Sequence, residues 1–306
     1  MNHQSLAPVI LFVYNRPAHT LNTLKSLAEN KLASDTDLYI YADAAKKDSD
    51  IPLVEAVDQV IQQKWKFKSV TIIKRKENWG LAKNIIDGVS AVVKKHGKII
   101  VLEDDLQTST YALTYFNDAL EKYKTQEKVM QIAGYMYPVQ DIDQLDESFF
   151  FRVANSWGWA TWDRAWQYFN ADIEALTQDF TAEDIYQFSI EGKENFWKQV
   201  QELKAGKINS WAIRWYASVF KKNGLVLYPG TSMCKNIGTD GSGTHSDIEK
   251  TYDVTLAEKP IRYFPETIAE NPLAFQTIKY FYAHRKGSLW NRGKKFLINK
   301  LNKFKK

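Results

Sequence analysis

The chain has 306 residues, 44% of them hydrophobic and 14% aromatic, which is ample for one large domain or two fused lobes with a proper core. A single cysteine, Cys234, excludes an internal disulfide framework, fits a reducing compartment and reads as structural. The net charge of +5 is uneven: Asn271 to Lys306 holds ten Lys or Arg and no acid, so the rest carries 31 basic against 36 acidic residues, a net of −5.

Residues 8–14 are a continuous apolar run and are expected as a buried strand. Asn15-Arg16-Pro17 stops it, and Pro17 is placed to open a helix along Leu21, Leu24 and Leu27. A second strand is expected over Asp37–Asp43, a helix over 52–64, a third strand over Ser69–Lys74, a helix marked by Leu81, Ile85, Val89 and Val92, and a fourth strand over Lys98–Leu102. This alternation predicts a mostly parallel α/β sheet with helices on both faces. Beyond about residue 130, strands are expected over Val129–Tyr137, Ser148–Val153 and Leu225–Tyr228, and helices over 181–204 and 210–222.

Each of the first four strands ends on polar residues: Asn15 and Arg16, then Asp43, then Arg75, then Glu103-Asp104-Asp105. In open α/β sheets ligands bind at that edge. Three carboxylates at one strand end are costly without a positive partner, and a divalent cation bridging to a phosphate is the natural candidate. There is no Gly-x-Gly-x-x-Gly after the first strand and no Gly-x-x-x-x-Gly-Lys-Ser/Thr run, so neither a dinucleotide fold nor a P-loop ATPase is supported. Trp157, Trp159 and Trp162 read as core packing, with an acceptor-sugar platform as the alternative.

Taken in order, Pro8–Pro17, Asp43, Asn78-Trp79-Gly80-Leu81-Ala82-Lys83-Asn84, Val101-Leu-Glu-Asp-Asp105, Ser156–Trp162 and Asn236-Ile-Gly to His245 resemble glycosyltransferases of the GT-A fold. The likeness is greatest to bacterial family 2-like sugar transferases, with a more distant one to animal N-acetylglucosaminyltransferase I. It covers roughly residues 8–245. It implies a nucleotide-diphosphate sugar donor, UDP favoured, a glycan or lipid-linked glycan acceptor, and Mn²⁺ or Mg²⁺ as cofactor. Asn15 and Arg16 would line the base and phosphate, Asp43 would accept a hydrogen bond from the base, and Asn78, Gly80 and Lys83 would wrap ribose and phosphates. Arg75 and Glu103 join this donor edge. Asp104 would contact ribose or sugar, Asp105 would bind the metal, and His245 would add a metal or diphosphate contact. The Trp-Asp-Asp-Trp run of N-acetylglucosaminyltransferase I, whose first Asp is the base, is matched here by Trp211-Ala212-Ile213-Arg214-Trp215. Ala212 falls where that Asp would be, so Asp163 and Asp240 are the substitutes.

Residues 1–270 are therefore expected as the catalytic body, with 1–128 binding the donor and 129–270 the acceptor. Residues 271–306 are expected as a basic amphipathic tail, with Leu289, Phe296, Leu297, Leu301 and Phe304 on one helical face, suited to an anionic membrane surface. No reader of nucleic acid accompanies it. The start shows no signal-peptide pattern, and the expected location is cytoplasmic, peripheral on the inner face of the plasma membrane. Two rivals stand beside the transferase reading: a sugar-phosphate nucleotidyltransferase, which would carry a Gly-rich basic loop where Asn15-Arg16-Pro17 stands, and a catalytically silent nucleotide- or glycan-binding protein, which Ala212 keeps open.

Overall fold

The computed structural model describes residues 5–239 and 251–285. Its first half follows the predicted alternation: β1 (Val9–Val13), α1 (Pro17–Ala28), β2 (Asp37–Ala42), α2 (Ile51–Ile61), β3 (Ser69–Lys74), α3 (Gly80–His96) and β4 (Lys98–Glu103). Then come β5 (Leu106–Thr108), α4 (Ala112–Lys122), β6 (Val129–Ala133), β7 (Ser148–Phe151) and β8 (Trp159–Trp162). The short helices α5 (Asp163–Trp166), α6 (Ile173–Thr177) and α7 (Ala182–Phe188) lead to α8 (Phe196–Lys204) and α9 (Trp211–Lys221), followed by β9 (Leu225–Pro229), β10 (Cys234–Asn236) and α10 (Pro272–His284).

Eight strands form one sheet in the order β3-β2-β1-β4-β8-β6-β9-β7, and β10 pairs with β5 in a small antiparallel ribbon. β3, β2, β1 and β4 are mutually parallel, with Leu11 opposite Ile40 on one side and Leu102 on the other. β8 runs antiparallel between β4 and β6, and so joins the two halves of the chain in a single sheet.

Successive residues of a strand point to opposite faces, and β1 divides its side chains accordingly. Ile10 and Phe12 enter a core completed by Ile85, Val89 and Val92 of α3, by Trp211 and Trp215 of α9 and by Phe275 of α10. Val9, Leu11 and Val13 enter a second core with Leu24 and Leu27 of α1, Val57 and Val60 of α2 and Leu113 and Phe116 of α4. α1 begins as its sequence predicts, with Pro17 in the first turn and Arg16 before it in non-helical backbone (φ −121°, ψ 73°).

The second half departs from expectation at four places. β6 stops at Ala133 rather than Tyr137, where Gly134 packs against the sulfur of Cys234. The expected helix over 181–204 is two helices, because Ile190, Glu191 and Gly192 all take positive φ between them. Trp159–Trp162 is a buried strand that hydrophobic period alone did not reveal. Lastly, the first part of the expected tail is α10, capped by the Asn271 side chain accepting from the Ala274 amide, with Phe275, Ile278 and Tyr282 buried against the body. Residues 286–306, with the apolar stripe expected to meet a membrane, lie outside the described residues.

Candidate active site

The carboxyl ends of β1, β2, β3 and β4 bring Tyr14 to Arg16, Asp43, Arg75 and Glu103 to Asp105 to one edge of the sheet. Asn15 is half-buried there. Two networks order this edge.

The first is centred on Asp43, which is buried. Its Oδ1 accepts from the Ala44 amide (3.0 Å) and the Trp79 amide (2.9 Å), and its Oδ2 accepts from Asn78 Nδ2 (3.1 Å) and the Gly80 amide (2.9 Å). Asn78 Nδ2 also donates to the Ala44 carbonyl at 2.8 Å. An ionised carboxylate has about four acceptor sites, and all four are used. Asp43 therefore fastens the start of α3 to the end of β2; the base contact implied by the resemblance would require it to release one of these donors. Arg75 extends the network: Nε donates to Asn84 Oδ1 (2.8 Å), Nη2 pairs with Asp87 (2.5 Å), and the guanidinium lies 3.8 Å from the centre of the Trp79 ring. The ammonium of Lys83 lies 3.9 Å from the same ring centre. Beside Asp43, a cavity of about 260 Å³ is walled by Tyr14, Ala44, Val54, Val57, Lys74 and Arg75.

The second network holds the acids. Asp105 Oδ2 pairs with Arg16 Nη1 at 2.9 Å, and Arg16 Nη2 reaches His19 Nε2 (3.1 Å) and the Gly238 carbonyl (3.2 Å). Asp104 Oδ2 accepts from the Tyr14 amide at 3.3 Å, and its carbonyl accepts from the Thr23 hydroxyl at 2.8 Å. Desolvation first, then the neighbouring acids, holds Glu103 well above the usual carboxylate range and pushes Asp104 up to about 7. Burial also raises Asp105, against the lowering pull of Arg16. Burial and the mutual repulsion of neighbouring carboxyls both oppose negative charge here, so a positive partner beside the trio is favoured, and Arg16 is one such partner.

Among the described residues no three potential ligands converge closely enough to hold a metal by themselves. The donor set fits a hard divalent cation nonetheless: Mg²⁺-like ions are commonly bound through one or two carboxylates, with substrate phosphates and water completing the shell. Asp105, paired with Arg16 and the least enclosed of the three acids, is the carboxylate best placed to reach such an ion.

Two candidate bases fare differently. Asp163 follows β8, which runs opposite to β4: Trp162 pairs with Lys98 at the start of β4, and the Asp163 amide donates to the Gly97 carbonyl at 2.9 Å. The six residues of β4 separate it from the acid trio, roughly 17 Å of strand. Asp163 thus lies at the opposite edge of the sheet, and its assignment as the base is withdrawn. Asp240 and His245 lie outside the described residues. The chain leading to them, Asn236–Gly238, crosses the acids: the Ile237 amide donates to the Asp105 carbonyl at 2.8 Å. Ala212 sits in the first turn of α9, behind Ser210, whose hydroxyl accepts from the Ile213 amide. Trp159 and Trp162 are core residues, Trp159 stacking on Trp211 at 5.2 Å, whereas Trp157 is half-buried edge-on to Tyr135 and Tyr252.

Sequence reasoning missed Tyr14 as a wall of the cavity beside Asp43 and Gly238 as a contact of the Arg16–Asp105 pair. The Tyr14 hydroxyl donates to Asp50 Oδ2 at 2.8 Å, a pairing between loops with no local sequence signal.

The description Glycosyl transferase family 2 matches residues 9–178, which include every described residue of both networks except Gly238. No curated protein matches the chain. Among solved structures, the mannosyltransferase PcManGT from Pyrobaculum calidifontis, in complex with GDP-Man and Mn²⁺, is similar at 10% identity and TM-score 0.43, over 72% of this chain and 70% of that one. Residues 1–349 of S. aureus TarS are similar at 14% identity and TM-score 0.37, over 73% and 60%. The galactosyltransferase LgtC, in complex with donor and acceptor sugar analogues, is similar at 10% identity and TM-score 0.36, over 72% of each chain. With the family match spanning more than half of its length, the chain belongs to glycosyl transferase family 2, in the mostly parallel α/β form of the GT-A fold.

Proposed function

We propose that the protein transfers a hexosyl or N-acetylhexosaminyl group from a nucleotide-diphosphate sugar, UDP-linked by preference, to a hydroxyl of a glycan or lipid-linked glycan. The observation that carries this reading is the Arg16–Asp105 pair just beyond the carboxyl end of β4, with the Tyr14–Asp43 cavity on the same edge of the sheet. The cavity suits a flat base, and the acid crevice suits a cation-bound diphosphate. Asn15, Asn78, Gly80 and Lys83 belong to the donor edge in this reading, with Glu103 and Asp104 behind Asp105.

As the sugar–oxygen bond breaks, negative charge grows on the diphosphate. Asp105, with His245 as a further contact, would hold Mn²⁺ or Mg²⁺, which when bound would supply Lewis-acid stabilisation of that charge. Arg16 is placed to give up its contact with Asp105 and donate to a phosphate oxygen, where a bidentate guanidinium is favoured. Asp43 keeps the Asn78–Gly80 turn rigid, so its polar groups need no reorganisation when the donor enters. Deprotonation of the acceptor hydroxyl by a carboxylate, typically worth about 10²–10⁴-fold, is assigned to Asp240, and the outcome at the anomeric carbon to inversion.

The setting we infer is assembly of a bacterial surface glycan at the cytoplasmic face of the membrane. The basic, apolar-striped sequence beyond residue 285 supports it. No helix among the described residues is long and apolar enough to cross a membrane.

The test is a thermal-shift series with UDP-, GDP-, CMP- and dTDP-sugars, each with Mn²⁺ and with EDTA, on wild type and Asp105→Ala. A ligand that binds only the folded state raises the melting temperature. A metal-dependent shift with one nucleotide class, lost in Asp105→Ala, is expected; no shift with any donor overturns the reading. Ala212 favours a second reading, donor binding without transfer. Slow donor hydrolysis with Mn²⁺ would exclude it.

A further inference from the structure

A second depression of about 630 Å³ lies between α3 and α9, on the flank of the sheet rather than at its edge. Trp79, Lys83, Ile86, Ser90 and Lys94 recur every three or four residues along α3 and face it together, and Arg214 of α9 forms the opposite wall. Its size is that of a small-molecule or oligosaccharide site.

The charges in this groove are unbalanced. Asp87 is the one acid on its lining, and it is already paired with Arg75. Among the described residues no carboxylate lies within 4.0 Å of Lys83, Lys94 or Arg214. Arg214 is also oriented: Nε donates to the Ala171 carbonyl at 2.8 Å, and Nη1 to Asn209 Oδ1 (2.8 Å) and the Ser210 carbonyl (3.0 Å). All three acceptors are neutral, so the guanidinium keeps its full charge while losing part of its hydration, which disfavours the cation. An anion in the groove would relieve that cost.

We propose that this groove binds an acidic segment of the glycan acceptor, a run of sugars carrying carboxylate or phosphate groups. The inference rests on the transferase reading above for the identity of the chain as an acceptor. Trp79 lines the groove and its amide is fixed on Asp43 at the donor edge, so a glycan lying along α3 would lead toward that edge. Apolar lining from Ile86 and the small residues of α3 suits sugar C–H surfaces, while Lys94 and Arg214 take the acidic groups and Lys83, over the Trp79 ring, stays with the donor edge. A single-stranded nucleic acid is less well served: the one aromatic ring on the lining, Trp79, is already covered by Arg75 and Lys83, which leaves no platform for stacked bases.

The experiment is calorimetric titration with tetragalacturonate, with neutral chitotetraose and with a short oligothymidylate, at low and high salt. It uses wild type, Lys94→Glu and Arg214→Gln, with the donor-induced thermal shift measured on each protein. Tetragalacturonate is expected to bind, to weaken with salt, and to lose about tenfold in each variant while the donor shift persists. Because Lys94 is exposed, its variant keeps the test valid if Arg214→Gln fails to fold. Equal binding of chitotetraose, unchanged affinity in Lys94→Glu, or tighter binding of the oligothymidylate would overturn the proposal. A missing donor shift in wild type would instead count against the transferase reading and leave the groove result standing.

Discussion

Gly238 runs so close to Asp105 that a Cβ built on it would lie 2.1 Å from Oδ2, and 2.7 Å from Nη1 of Arg16. The segment after β10 thus lies directly on the ion pair, and a side chain at Gly238 would displace the Asp105 carboxylate and the Arg16 guanidinium. Gly238→Ala should push the Arg16–Asp105 pair apart. Displacements of about 1 Å at a reacting site cost about 10²-fold, and a loss of that order in donor hydrolysis is expected. The cost in stability should be that of local overpacking, about 1–3 kcal/mol. Normal turnover and a normal donor-induced shift would mean that the segment yields freely and does not frame the site.

Asp43 holds the turn before α3 through four N–H donors. Truncation to Ala leaves buried donors without a partner, and the expected destabilisation is about 2–4 kcal/mol. Asp43→Asn retains one carbonyl acceptor and should fall between. Amide exchange separates this from a general loss of stability, since the Trp79 and Gly80 amides should lose protection first. If their exchange rates match wild type, Asp43 does not organise the turn.

The first half of this architecture was legible because each parallel strand is a short apolar run that ends in a charged residue, so Asp43 and the acid trio announce both strand and edge. Asp163 was misplaced for a physical reason. It follows a strand that enters the sheet antiparallel between β4 and β6, and nothing in Trp-Ala-Thr-Trp fixes the direction in which it is inserted. The Arg16–Gly238 contact joins residues 222 apart in sequence and leaves no local trace. α10 was hidden by composition: the basic residues around it suggest a solvated or interfacial tail, while Phe275, Ile278 and Tyr282 supply a core face.

His96 closes α3, where the helix dipole and Tyr39 meet it; the Tyr39 hydroxyl is 2.9 Å from Nε2. Burial first, and then Lys95, lowers its folded pKa below the ordinary imidazole value of about 6.5. A depressed pKa means the unfolded chain takes up the proton first. The contribution of His96 is therefore fully present above about pH 6.5 and lost as pH falls through the folded value. Urea unfolding at neutral and mildly acidic pH should show wild type losing stability faster than His96→Gln as pH falls. Parallel pH profiles would mean that His96 is not held neutral by the fold.

Gly158, at the entry to β8, takes φ +73°, and a Cβ there would lie 2.4 Å from Sγ of Cys234 and 3.3 Å from Leu102 Cδ2. Its carbonyl accepts from the Gly134 amide at 2.7 Å, so the three residues lock β8, the end of β6 and β10 together directly behind the strand that delivers the acids. Two costs should add in Gly158→Ala: about 1–3 kcal/mol for positive φ in a residue with a side chain, and about 1–3 kcal/mol for overpacking. They can be separated. Cys234→Ala in the same chain removes the sulfur and should restore part of the packing cost, but none of the backbone cost. The check is urea unfolding of both single variants and the double variant. Full recovery in the double variant would locate the whole penalty in the Cys234 contact, and no recovery would locate it in the backbone. In whichever Gly158→Ala variant folds, single or double, a weakened metal-dependent donor shift is expected, because Leu102 carries the disturbance to Glu103, Asp104 and Asp105.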